Sequence, residues 1–76
     1  MKIQVLGPGC TNCKHLHRNV MAAVMEARVV ADVEQIEDIT EIMKYGVMAT
    51  PALVIDGAVR TSGKVLSVSE IKKLIT

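Results

Sequence analysis

Two cysteines, the only ones in the chain, stand three apart as Cys10-Thr11-Asn12-Cys13. As thiolates, such a pair can attack disulfides or hold a soft metal. Ile3, Val5 and Leu6 precede it as an apolar strand, followed by the loop Gly7-Pro8-Gly9. Leu16, Val20, Val24 and Ala27 follow it at helical spacing. The pattern is strand, loop, cysteine pair, helix, and it puts Cys10 at a helix N-terminus. Unpaired backbone N–H groups and the positive end of the helix dipole favour a thiolate there. Cys10 is therefore expected as the exposed attacking nucleophile, with a pKa below the free value of about 8.5. Cys13 falls one turn into the helix on its inward side, placed to resolve a mixed disulfide by attacking the Cys10 sulfur.

The chain that must position this pair is small. Seventy-six residues make one domain, 1–76, near the lower end of what folds without staples. Half of the residues are apolar, which compensates. Tyr45 is the sole aromatic and there are five methionines, so the core is aliphatic and thioether. A net charge of +1 gives no electrostatic reason to expect nucleic acid or an anionic membrane as partner. Met1–Val5 shows no signal-peptide core, and no apolar run approaches a membrane span. Two closely spaced cysteines without a signal point to a reducing cytoplasm rather than a secreted disulfide scaffold.

The elements alternate regularly. Residues 2–6 read as a buried strand and 11–28 as a helix with Lys14, His15, Arg18 and Asn19 outward. Residues 29–36 read as a half-exposed strand. Asp38 opens a short helix, with Glu41 as a capping-box partner, Ile39, Ile42 and Met43 as its apolar stripe, and Gly46 as its C-cap. After Thr50-Pro51, residues 52–55 form an apolar strand, Asp56-Gly57 a hairpin turn, and 58–62 the antiparallel return. Gly63 marks either a bulge or a close backbone approach. Ser67 and Glu70 cap a last helix with Val68, Ile71, Leu74 and Ile75 inward. The expected class is α/β, in the order β-α-β-α-β-β-α. It is a four-stranded mixed sheet with helices on both faces, whose first half is a parallel, right-handed β-α-β unit.

This arrangement resembles the thioredoxin fold, most closely the minimal thioredoxins and glutaredoxin-like redox proteins of archaea and bacteria. Gly9-Cys10-Thr11-Asn12-Cys13, Thr50-Pro51 and the Asp56-Gly57 hairpin carry the likeness, in order and on matching elements. The resemblance implies a thiol–disulfide oxidoreductase that reduces protein disulfides, drawing its electrons from a reductase or another dithiol. It implies that the peptide bond before Pro51 is cis and that the Thr50 backbone pairs with the substrate chain. Gly9, Thr11, Asn12, Thr50 and Pro51 then form the substrate-binding surface around Cys10 and Cys13. No bound cofactor is needed, because the two thiols carry both electrons, and the chain is expected to act as a monomer. It departs from common thioredoxins in having Gly9 rather than Trp before the first cysteine and Thr-Asn between the cysteines. It also has no acid on the first strand, and a lone Gly63 where glutaredoxins carry a double glycine.

Other residues take plainer readings. Lys14 reads as a solvated helix cation, His15 and His17 as surface or half-buried side chains, and Met21 and Met25 as core packing rather than a copper site. Tyr45 reads as packing. No metal site is assigned. The competing reading is a metal-binding module of the heavy-metal-associated type, or a metallochaperone using the same thiolates. Such modules run β-α-β-β-α-β and end in a strand, and this chain ends in a capped helix.

Overall fold

A computed structural model describes residues 1–76. The elements are β1 (Lys2–Leu6), α1 (Thr11–Ala27), β2 (Asp32–Ile36), α2 (Ile39–Met43), β3 (Ala52–Ile55), β4 (Ala58–Ser62) and α3 (Val68–Ile75). They form one four-stranded sheet in the order β2-β1-β3-β4. β1 pairs with β2 in parallel and with β3 antiparallel, and β3 pairs antiparallel with β4. The expected α/β class, element order and mixed sheet are those observed.

Of the two central strands, β3 is continuously apolar and β1 is apolar at Ile3, Val5 and Leu6. Both faces of β1 and β3 are covered, so alternation gives no polar side. Ile3, Val5, Leu53 and Ile55 face Leu16, Val20 and Ala23 of α1 and Ile71 and Ile75 of α3. Leu6, Ala52 and Val54 face Ile42 of α2, with Ile36, Tyr45 and Val47 around them. Gln4 is the one buried polar side chain of β1 (7 % exposed). The Tyr45 hydroxyl donates to its Oε1 at 2.9 Å. Tyr45 thus packs, as expected, and also satisfies a polar atom that the second face would otherwise strand.

Several local expectations are corrected. α1 stops at Ala27, and Arg28 caps it in a left-handed conformation. The Val29 N–H then bonds back to the Val24 carbonyl, so residue 29 closes the helix instead of opening a strand, and β2 starts only at Asp32. Met21 (42 % exposed) and Met25 (75 %) are not core residues. The buried line of α1 runs Cys13, Leu16, Val20, Ala23, and both methionines fall off it. On α2 only Ile42 is buried; Ile39 and Met43 are exposed. Asp38 caps α2 through the Thr40 N–H at 2.8 Å, while Glu41 turns to Lys44 Nζ at 3.0 Å and leaves the capping box open. α2 is capped at Lys44, ahead of Gly46.

The other local features hold. The hairpin turn has positive φ at both Asp56 and Gly57, which favours Gly, Asn or Asp there. The register slip between β3 and β4 lies at Leu53/Val54, opposite Arg60, so Gly63 is no bulge. It is the close approach instead, with its N–H bonded to the Pro51 carbonyl at 2.8 Å. Ser67 and Glu70 form a full reciprocal capping box on α3.

Candidate active site

β1 ends at Leu6, and the loop Gly7-Pro8-Gly9 carries the chain from the sheet into α1. The Gly7 N–H bonds the Ile36 carbonyl at 2.9 Å, which pins the loop to the end of β2. Gly9 has φ +88°, a left-handed conformation that residues with a Cβ rarely adopt. Cys10 follows as the N-cap of α1 in extended conformation. Its carbonyl accepts the Lys14 N–H at 3.0 Å and its Sγ accepts the Cys13 N–H at 3.2 Å. Sulfur here occupies the position usually held by a capping oxygen. One of the orphan N–H groups of the helix therefore points at the reactive atom.

Cys10 and Cys13 are joined by a disulfide, with their Cα atoms 5.1 Å apart. Their exposures differ sharply: Cys10 is on the surface, and Cys13 is 0 % exposed. The cause is Gly7. A Cβ at residue 7 would collide with Cys13 Sγ and lie 2.9 Å from Cys13 Cβ. The Cys13 side chain packs into the space that glycine leaves empty. Gly7 needs no left-handed backbone, so close approach alone accounts for it. By composition Gly7 is only part of the loop Gly7-Pro8-Gly9, which does not declare this contact. The available signal was a glycine directly after a buried strand and six residues before an inward cysteine.

The second half of the site comes from β3. Leu6 pairs with Ala52 across the antiparallel β1–β3 ladder. One further step of that register sets Pro51 opposite Gly7. The Thr50–Pro51 peptide bond is cis and Pro51 is buried. Thr50 is exposed, and its backbone N–H and carbonyl make no hydrogen bond within the protein. Gly9, Cys10, Thr11, Asn12, Cys13, Thr50 and Pro51 thus gather at one end of the sheet. Thr11, Asn12 and Lys14 are exposed there. His15 is exposed and His17 half-buried, and no three His, Cys, Asp or Glu side chains converge as a ligand set. The surface depressions of the molecule lie along α3, lined by residues such as Val68, Lys72 and Leu74, and Cys10 sits on open surface apart from them.

A disulfide with one sulfur presented and the other sheltered, at a helix start, is the arrangement of a thiol–disulfide oxidoreductase. The comparisons agree. A family model described as a thioredoxin domain matches residues 1–76, and the chain belongs to the thioredoxin family. It is 41 % identical over 76 residues to a thioredoxin of Methanothermobacter thermautotrophicus, covering 100 % of this chain and 99 % of that protein. It is 35 % identical over 71 residues to a thioredoxin of Methanocaldococcus jannaschii, covering 93 % and 81 %. The chain is a small thioredoxin-like thiol–disulfide oxidoreductase. The heavy-metal-associated reading is not favoured, since the element order ends in α3 rather than in a strand. No helix is long and apolar enough to cross a membrane.

Proposed function

We propose that Cys10 is the attacking thiol and Cys13 the resolving thiol in the reduction of protein disulfides in the cytoplasm. The observation that carries this is the exposure difference: Cys10 is on the surface and Cys13 is wholly buried. In the reduced protein the Cys10 thiolate, capped by the Cys13 N–H and favoured by the helix dipole, attacks one sulfur of the partner's disulfide. A mixed disulfide forms and the other partner sulfur leaves as a thiolate. Cys13 loses its proton and attacks Cys10 Sγ, which closes the Cys10–Cys13 disulfide and expels the second partner thiolate. Two electrons pass from the dithiol to the partner, and a separate reductase or dithiol restores them.

Gly9, Thr11, Asn12, Thr50 and Pro51 are the surface this partner meets. Their support is placement: the free Thr50 backbone groups can take an extended chain as an added strand would, and Met48 stands 97 % exposed beside them. The site is complete within one chain, in keeping with a monomer. No cofactor enters the reaction. The test is trapping. Cys13→Ser leaves the first step intact and is expected to accumulate mixed disulfides with partner proteins, while Cys10→Ser accumulates none. Faster alkylation of Cys13 than of Cys10 in the reduced protein reverses the assignment.

A further inference from the structure

Gly9 leaves the surface beside Cys10 without a side chain of its own. A Cβ at residue 9 would find Glu37 Oε2 at 3.8 Å and nothing else within 4 Å. Glu37 directly follows the last residue of β2. The Gly7 N–H bond to the Ile36 carbonyl holds that strand end against the loop. The backbone carrying Glu37 is therefore tied to the loop that carries the cysteines. Its carboxylate stands at contact distance from where a side chain preceding Cys10 would begin.

That carboxylate is also uncommitted. Of the eight acidic residues, Glu26, Glu34 and Glu41 pair with lysines. Asp38 and Asp56 accept backbone N–H groups, and Glu70 closes the capping box. Asp32 and Glu37 alone have no such partner. They lie at opposite ends of β2: Asp32 opposite Lys2, Glu37 beside the loop that carries Cys10. Glu37 is exposed. Lys14, the cation one turn after Cys10, makes no ion pair with it.

We propose that Glu37 is a specificity determinant for disulfide exchange, favouring partner polypeptides that carry a lysine or arginine beside the target disulfide. The proposal rests on Cys10 being the thiol that meets the partner. A basic side chain brought to Cys10 on its Gly9 flank comes within one Debye length of the Glu37 carboxylate, about 8 Å at physiological ionic strength. Opposite charge so placed acts mainly on encounter and register rather than on the chemical step.

The experiment compares two disulfide-bonded peptides that are identical except for lysine or glutamate flanking one cysteine. Reduced wild-type protein is expected to reduce the lysine peptide about fivefold faster at low ionic strength. That ratio falls toward unity as salt rises. Glu37→Gln brings the ratio to within about twofold of unity, and Glu37→Lys inverts it. Because the readout is a ratio, any general loss of stability in a variant cancels. A ratio that Glu37→Gln leaves unchanged, or a wild type that does not discriminate, overturns the role of Glu37 alone. A Cys10→Ser variant that readily forms mixed disulfides through Cys13 overturns the attacking-thiol assignment, and this inference with it.

Discussion

Gly7→Ala is the most informative single substitution in the site. The added Cβ would lie 2.9 Å from Cys13 Cβ and closer still to Cys13 Sγ, where carbon contacts are optimal at about 3.5–4.0 Å. Neither side yields freely: Gly7 is tied to Ile36 through its N–H, and Cys13 is buried on α1. Overpacking of this kind typically destabilises by about 1–3 kcal/mol, which for a domain of this size lowers Tm by roughly 4–8 °C per kcal/mol. The burden falls unequally on the two redox states. In the disulfide, Sγ of Cys13 is bonded to Cys10 and cannot swing away, whereas in the dithiol Cys13 can change rotamer. The oxidised form should therefore lose more stability, and the couple should become more oxidising. Each 1.4 kcal/mol of differential loss corresponds to about 30 mV for a two-electron couple. Urea unfolding of both redox forms and a titration against a thiol buffer must then agree through that conversion. A Gly7→Ala protein whose two forms unfold like wild type, and whose potential stays within about 10 mV, refutes the contact as the reason for this glycine.

Tyr45→Phe removes the donor to Gln4 Oε1. It leaves a buried amide oxygen unpaired, so a loss of about 1–3 kcal/mol is expected in chemical denaturation. Gln4→Leu in the same background should recover part of it, by removing the stranded group. The Glu70 carboxyl is held below its ordinary range, first by the Ser67 backbone N–H and then by the Ser67 hydroxyl. A depressed carboxyl contributes stability that is present above its unfolded pKa and lost as pH falls through the lower folded value. The C-terminal helix should therefore loosen on acidification below the usual carboxylate range, and amide exchange at Val68–Ile71 should report it. Glu70→Gln should flatten that dependence, and an unchanged acid profile counts against the capping box.

The fold was legible where burial is two-sided or where caps are local. Ile3, Val5 and Leu6 and the continuous apolar run 52–55 marked the central strands because both sheet faces are covered. Ser67 and Glu70 announced α3 because a capping box is complete within four residues. Legibility failed at one-sided elements. α1 buries a single line through Cys13, Leu16, Val20 and Ala23, and the small Ala23 hid that line while Met21 and Met25 suggested a wider one. α2 is a single turn and a half against the sheet, so its hydrophobic residues outnumber the one place available to bury them.

The candidate site divides the same way. Cys10 at a helix start and Cys13 inward of it follow from spacing along one element, and the proline loop followed from resemblance. Gly7 and Glu37 could not be read so directly. Within Gly7-Pro8-Gly9 a sequence shows only turn composition, yet its two glycines answer different constraints. Gly9 meets a backbone angle, which is local. Gly7 meets a sulfur six residues ahead, which depends on how α1 docks on the sheet. Glu37 reaches the loop only because β2 runs parallel to β1 and ends level with it, a register that nothing near residue 37 declares. The thiols are thus placed by local sequence, and their surroundings, which decide how the buried sulfur is held and which partner the exposed one meets, by contacts between elements distant in the chain.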